Sequence, residues 1–303
     1  MKKIGKIAVL LCLVVPLINS CKKDKGTKQK QKYDVNFDVS GFSQTSGGFG
    51  ATAIKKKVNS LSTNALADDV DVLIAIIYEG NPTTSGTKIY KSTHLLTDPN
   101  AARFTASLPA GNYTAVIYGG KGITEVEGDP VNDPDAFNTT VKPWNDVFYK
   151  KLTFTIAGAV LNQPVVLDRI TAQLQIKLQD NIQASWQKIT VSYPDYTYLQ
   201  NLTLTTPLGF TRTAFSLSKT FTATDVGTTN YTIVLATANN GEPFTVTLSL
   251  YDTGNNVIST RTIDNVICER NKRTILTGKV YANSTGFTIA VDTAWHSPIP
   301  KTF

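Results

Sequence analysis

From Tyr33 onward the apolar residues come in short runs of strand length, and each run is closed by Gly, Pro, Asn or Asp. That spacing has the two-residue period of a β-strand, and no long stretch carries the 3.6-residue period of a helix. Punctuation of this kind specifies an antiparallel all-β chain. Val35, Phe37 and Val39 alternate with Asn36, Asp38 and Ser40, which gives one core face. Residues 70–78 are apolar at nearly every position, as in a central sandwich strand covered on both faces. Residues 104–108 and 113–118 flank Pro109-Ala110-Gly111-Asn112, a strand, turn and strand.

Residues 119–144 are rich in Gly, Pro, Asp and Asn without periodicity and are expected to form a long surface loop. A strand at 147–156 follows. Residues 158–164 are expected to join two domains, because a new alternation begins at Val165. Leu174, Ile176 and Leu178 point one way and Gln173, Gln175, Lys177 and Gln179 the other, so this strand is expected to have one wet face. Residues 189–193, 202–204, 231–236, 244–251, 257–263, 274–281 and 287–291 read as further strands, with a hairpin turn at Asp252-Thr253-Gly254-Asn255-Asn256. Residues 112–117 and 230–235 echo one another, as a topology used twice would.

The formal charge of +7 would suggest an anionic partner if it lay on the folded part. It does not: Lys2, Lys3, Lys6, Lys22, Lys23, Lys25, Lys28, Lys30 and Lys32 face Asp24 alone, leaving the rest near −1. No nucleic-acid partner is expected. The first lysines precede an apolar stretch at 7–18 and small residues before Cys21, the three parts of a secretory signal. That stretch is too short to span a bilayer. Ile18-Asn19-Ser20-Cys21 resembles the lipobox of bacterial lipoproteins, which implies cleavage before Cys21 and acylation of its thiol. Two or three acyl chains, at ~0.8 kcal/mol per buried CH₂, would anchor the chain to outer-membrane lipid. The expected organisation is a signal at 1–20, a lipidated basic tether at 21–32, and β-sandwich domains at 33–163 and 164–303.

Cys12 and Cys21 fall in these leading segments, so Cys268 has no disulfide partner and reads as a small buried residue. His94 and His296 are the only histidines, and no nucleophile elbow, phosphate loop or dinucleotide fingerprint occurs. Neither catalysis nor a cofactor is expected. Asp129, Asp133 and Asp135, with Glu125 and Glu127, are candidate calcium ligands, with a solvated loop as the competing reading. Trp144, Tyr149 and the run 193–198, including Tyr196, are candidate sugar-stacking rings, with core packing as the alternative. Lys55-Lys56-Lys57 is either a protease-accessible site or a solvated charge run.

Five features together resemble the fimbrillin superfamily, closest to the anchor and minor-subunit branch of type V fimbriae. They are the lipobox, Leu108-Pro109-Ala110-Gly111-Asn112-Tyr113, the motif from Leu167 to Leu174, the motif from Glu269 to Gly278, and a closing segment from Phe287 to Trp295. The resemblance implies two transthyretin-like antiparallel β-sandwich domains in series. It also implies a lipid-anchored, adhesion-related fibre subunit on the cell surface, whose partners are other fimbrial subunits and a host or bacterial surface ligand. Strand exchange is the physics of such fibres: an open sheet edge is a row of N–H and C=O groups that another chain can pair. The movable pieces implied are the first strand, with Val35, Phe37 and Val39, and the C-terminal segment from Trp295. Pro298 and Pro300 in that segment cannot donate to a ladder. The alternative is a surface lipoprotein that binds glycan or peptide through its loops.

Overall fold

The computed structural model describes residues 30–44, 57–58, 70–82, 86–121, 134, 136–138, 144–196, 198–200, 208–209, 212–281 and 286–292. Met1–Lys30 form a unit apart from Gln31–Phe303, and the fold below is that of the second unit. Every regular element among the described residues is a strand. The first group is β1 (Lys32–Gln44), β2 (Lys57–Val58), β3 (Val72–Glu79), β4 (Lys88–Leu95), β5 (Arg103–Pro109), β6 (Gly111–Gly120), β7 (Ala136–Asn138), β8 (Val147–Ile156) and β9 (Leu161–Arg169). The second is β10 (Ala172–Leu178), β11 (Trp186–Tyr196), β12 (Tyr198–Gln200), β13 (Leu208–Gly209), β14 (Arg212–Thr220), β15 (Tyr231–Thr237), β16 (Phe244–Asp252), β17 (Val257–Val266), β18 (Arg273–Gly278) and β19 (Thr288–Asp292).

The first sandwich is one continuous sheet in the order β2-β1-β9-β8-β6-β3-β4, with β5 also on β1. Its interior takes Val35, Phe37 and Val39 from β1, Phe104, Ala106 and Leu108 from β5, and Ala115 and Ile117 from β6. Alternation decides which residues enter: β5 is exposed at Arg103, Thr105 and Ser107 and buried at Phe104, Ala106 and Leu108. The turn into β6 is fixed by Tyr113, whose hydroxyl donates to the Pro109 carbonyl at 2.9 Å. Pairing is antiparallel except for β1 with β9 and, in the second sandwich, β10 with β18.

The second sandwich packs β15-β10-β18-β19 against β14-β11-β16-β17. Leu174 and Ile176, Ile189 and Val191, Ile233 and Leu235, Val246 and Leu248, and Leu276 fill the space between them. The hairpin expected at 252–256 joins β16 to β17, with the Asp252 carboxylate accepting from the Asn256 amide at 2.8 Å. Its left-handed residue is Asn255, at φ +62°. Cys268 is fully buried, as its reading required, and burial pushes its thiol up to about 12.

Three expectations change. Gly158 lies in the turn from β8 to β9, and both strands belong to the first sheet, so residues 158–164 are not a joint. The chain passes into the second sandwich after Arg169, at Ile170-Thr171. Pro164 hid β9 from the sequence, because a proline inside an apolar run argues against an interior strand. The outer face of β10 is wet only toward its end: Gln173 and Gln175 are 5% and 6% exposed and Gln173 accepts from Arg273 Nε, whereas Lys177 is half-buried and Gln179 beyond it exposed. Within the expected loop, β6 runs on to Gly120 and β7 pairs with β12, so part of that stretch is sheet. The expected strand at 202–204 lies outside the described residues.

Candidate functional site

β1 is held on both sides. It is antiparallel to β5 from Lys32↔Pro109 to Asp38↔Arg103, and parallel to β9 from Val35↔Leu161 to Ser43↔Asp168. Val35, Phe37 and Val39 are 0%, 0% and 4% exposed. Phe37 meets Phe154 edge to face at 5.4 Å. On the opposite face Asn36 donates to Asn162 Oδ1 at 2.8 Å and accepts from Thr105 Oγ1 at 2.8 Å. That three-strand relay sets the register, because a one-residue slip would drive Asn36 into the core and Phe37 out of it. Burying three such apolar side chains stabilises by roughly 1.5–3 kcal/mol each. β1 is therefore held both by its two ladders and by the burial of these three side chains.

β19 is the opposite case. It ends its sheet, pairing only with β18 among the described residues, from Arg273↔Asp292 to Thr277↔Thr288. Thr288, Ile289, Ala290 and Val291 are exposed and Asp292 is intermediate. Ile289 and Val291 stand opposite Leu276 and Thr274, both 0% exposed, yet are themselves 43% and 40% exposed. Directly paired residues share a face. The core face of β18 thus continues into β19, where the opposing sheet no longer covers it. The anchorage lies one residue earlier: Phe287 rests on Gly278, where an added Cβ would sit 2.7 Å from the ring.

Trp144 and Tyr196 come together, but in the interior. Trp144 is 0% and Tyr196 9% exposed. The indole Nε1 donates to the Tyr196 carbonyl at 2.6 Å, and Trp144 bridges to Ala236. Neither ring offers a face to a glycan, so the sugar-platform reading is corrected to packing at the seam between the sandwiches. The seam is apolar, built from the outward residues Val72, Ile74, Ile76 and Tyr78 of β3 with Val116, Tyr118, Tyr149 and Ile170. β3 is apolar on both faces because one covers the first core and the other this seam.

Polar contacts close the seam's margins. Arg169 Nε donates to Asp146 at 2.7 Å with side chains 2% and 11% exposed, and its guanidinium lies 4.8 Å over Phe148. Arg169 also reaches Asn271 Oδ1 at 3.4 Å, while Arg270 Nε donates to the Arg169 carbonyl at 3.1 Å. Asn271 sits at φ +59° in a turn closed by Lys272 N to Glu269 O at 2.9 Å. Asp195 is 0% exposed, and its Oδ1 accepts from Thr237 Oγ1 at 3.0 Å and the amides of Ala238 at 3.0 Å and Tyr196 at 2.9 Å. Tyr196 donates to Glu242 at 2.7 Å, and burial, with that bond next, raises its pKa. Arg169, Asp146 and Asp195 are the residues that reading the sequence missed. Arg169 lay inside the motif from Leu167 to Leu174, but nothing local marks a charge as buried.

Cys21, Asp129, Asp133, Asp135 and Trp295 lie outside the described residues, as do Lys55 and Lys56. Among the described residues no cluster of His, Cys, Asp and Glu has the makings of a metal site. His94 stacks on Phe104 at 4.2 Å and bonds to Ser92 and the Ala101 carbonyl, a structural placement.

Residues 131–302 match the profile described as "Family of unknown function (DUF6562)". No curated protein matches. Among solved structures, a candidate polysaccharide-binding protein (DUF1812) from Bacteroides thetaiotaomicron aligns at TM-score 0.54 and 10% identity, covering 89% of this chain and 99% of that one. A candidate adhesin from the same organism aligns at TM-score 0.51 and 13% identity, covering 88% and 98%. The fimbrial anchor protein Mfa2 from Porphyromonas gingivalis aligns at 0.45 and 13%, covering 88% and 100%. The first two likenesses establish a shared fold.

Proposed function

This chain belongs to the family of unknown function DUF6562, and on that footing we propose that it is a non-catalytic subunit of a cell-surface fibre, joined to its neighbours by strand exchange. One observation carries the reading: β19 completes the edge of β18 through backbone pairing while leaving four of its five side chains exposed. A strand held in that way can be exchanged at little cost in buried surface, and β18 then offers its N–H and C=O groups to a strand of the same pattern. The fold shared with a candidate adhesin supports an adhesion-related role at the cell surface. The seam supports a tension-bearing one, because tension entering one sandwich passes to the other through Trp144, the bonds of Arg169 to Asn271 and Arg270, and the apolar face of β3.

Lipid on Cys21 would hold this assembly to the outer membrane, with other fimbrial subunits as partners. The test is to collect surface material from cells carrying the native chain or Cys21→Ala. With the native chain, fibres stay bound to the cell; with Cys21→Ala they are shed into the medium or change in number. Unchanged, cell-bound fibres would refute the anchoring role.

A further inference from the structure

We propose that a cleft at the end of β11 remote from the seam is a saccharide-binding site, with Tyr281 as its stacking surface. The cleft is about 370 Å³ and is lined by Asp180, Asn181, Gln183, Trp186, Lys279 and Tyr281 among others. That volume falls within the ~300–1,000 Å³ of small-molecule sites. It lies at the start of β11, some 30 Å along the strand from Tyr196, so it is separate from the seam.

The cleft is built. Asp180 is 6% exposed, and its two carboxylate oxygens accept from the Val280 amide at 2.6 Å and the Tyr281 amide at 3.2 Å. Those bonds fix the segment after β18 and so place the Tyr281 ring. The ring stands 5.3 Å from Trp186, tilted by 54°, and remains 54% exposed. Trp186 is 6% exposed and backed by Phe221 at 6.3 Å, so it forms a floor and Tyr281 a wall. Gln183, also in the lining, donates its side-chain amide to the Asn181 carbonyl at 2.7 Å.

This combination selects a ligand class. An apolar molecule would leave the amides and the Lys279 ammonium without partners. A phosphate ligand would find a single cation, Lys279, and a carboxylate, Asp180, in the same lining. A sugar ring presents C–H groups to an aromatic wall and hydroxyls to amides, an ammonium and a carboxylate that still has free lone pairs. The site does not depend on fibre assembly, and its failure would leave the strand-exchange reading standing.

The experiment passes the full chain in detergent over an immobilised panel of neutral and uronic-acid oligosaccharides and titrates each sugar retained. At least one sugar is expected to bind saturably, to weaken about tenfold or more with Tyr281→Ala and Lys279→Gln, and to keep its affinity with Tyr281→Phe. Melting temperatures of the three variants should match that of the native chain. Retention of no sugar overturns the proposal, and so does an affinity that Tyr281→Ala leaves unchanged.

Discussion

Trp144 donates its indole N–H to the carbonyl of Tyr196 at 2.6 Å, across 52 positions of sequence and from one sandwich to the other. Both groups are buried, so each is the other's replacement for water. Trp144→Phe should cost about 2–3 kcal/mol, from the orphaned carbonyl and the smaller ring. Denaturant unfolding checks this. The native chain should unfold in one transition, and Trp144→Ala should split it in two as the seam loosens.

Arg169 and Asp146 form a buried pair, and breaking such a pair costs more than replacing it. Arg169→Met alone should destabilise by about 3–5 kcal/mol, and adding Asp146→Leu should recover most of that loss. A double-mutant cycle in urea measures the coupling. Additive losses would show that the pair is not a pair in solution.

The strands at the two ends of the fold should respond differently. Phe37→Ala in β1 should cost about 3–5 kcal/mol, whereas Ile289→Ala in β19 should cost under about 1 kcal/mol. Amide hydrogen exchange should show β1 opening only with global unfolding and β19 opening well below it. Gly278→Ala, which drives a methyl group into Phe287, should speed exchange in β19 further while leaving β1 unchanged.

Cys268 links stability to alkaline pH. Its folded pKa is raised to about 12 by burial, above the ~8.5 of an exposed thiol, so the unfolded chain ionises first. Stability contributed by the neutral thiol is complete below about pH 8.5 and falls as pH rises toward 12, by up to ~1.4 kcal/mol per unit. Comparing the native chain with Cys268→Ala at pH 7 and pH 10.5 isolates this slope. Tyr193, whose pKa is raised first by burial and then by Asp195 and Cys268, interacts with the thiol, so the comparison is made with Tyr193→Phe in both chains to remove its share of the slope.

Much of the fold could be read from residue spacing, because burial follows alternation: β8 was expected at 147–156 and forms there. The two-sided apolar run at 70–78 even announced that something would cover its second face, though not that the cover would be the seam. Long-range polar pairing was not readable. Asp146 and Arg169 are 23 positions apart and look like any surface charges until the sheets fold. The echo of 112–117 in 230–235 misled in a different way, since β6 lies between β3 and β8 while, among the described residues, β15 ends its sheet on β10. Among the described residues, similar strands serve the interior of one sheet and the end of another, where only the Trp144 bridge to Ala236 adjoins β15, because local propensity does not encode position in a sheet.

Locking β19 to β18 tests the account most directly. Ile275 and Ala290 are directly paired, within disulfide reach, so Ile275→Cys with Ala290→Cys closes the edge covalently under oxidation. The oxidised chain should be absent from surface fibres and return when dithiothreitol opens the bond, while Ala290→Cys alone behaves as native. Incorporation of the oxidised double variant at native levels would contradict exchange at this edge.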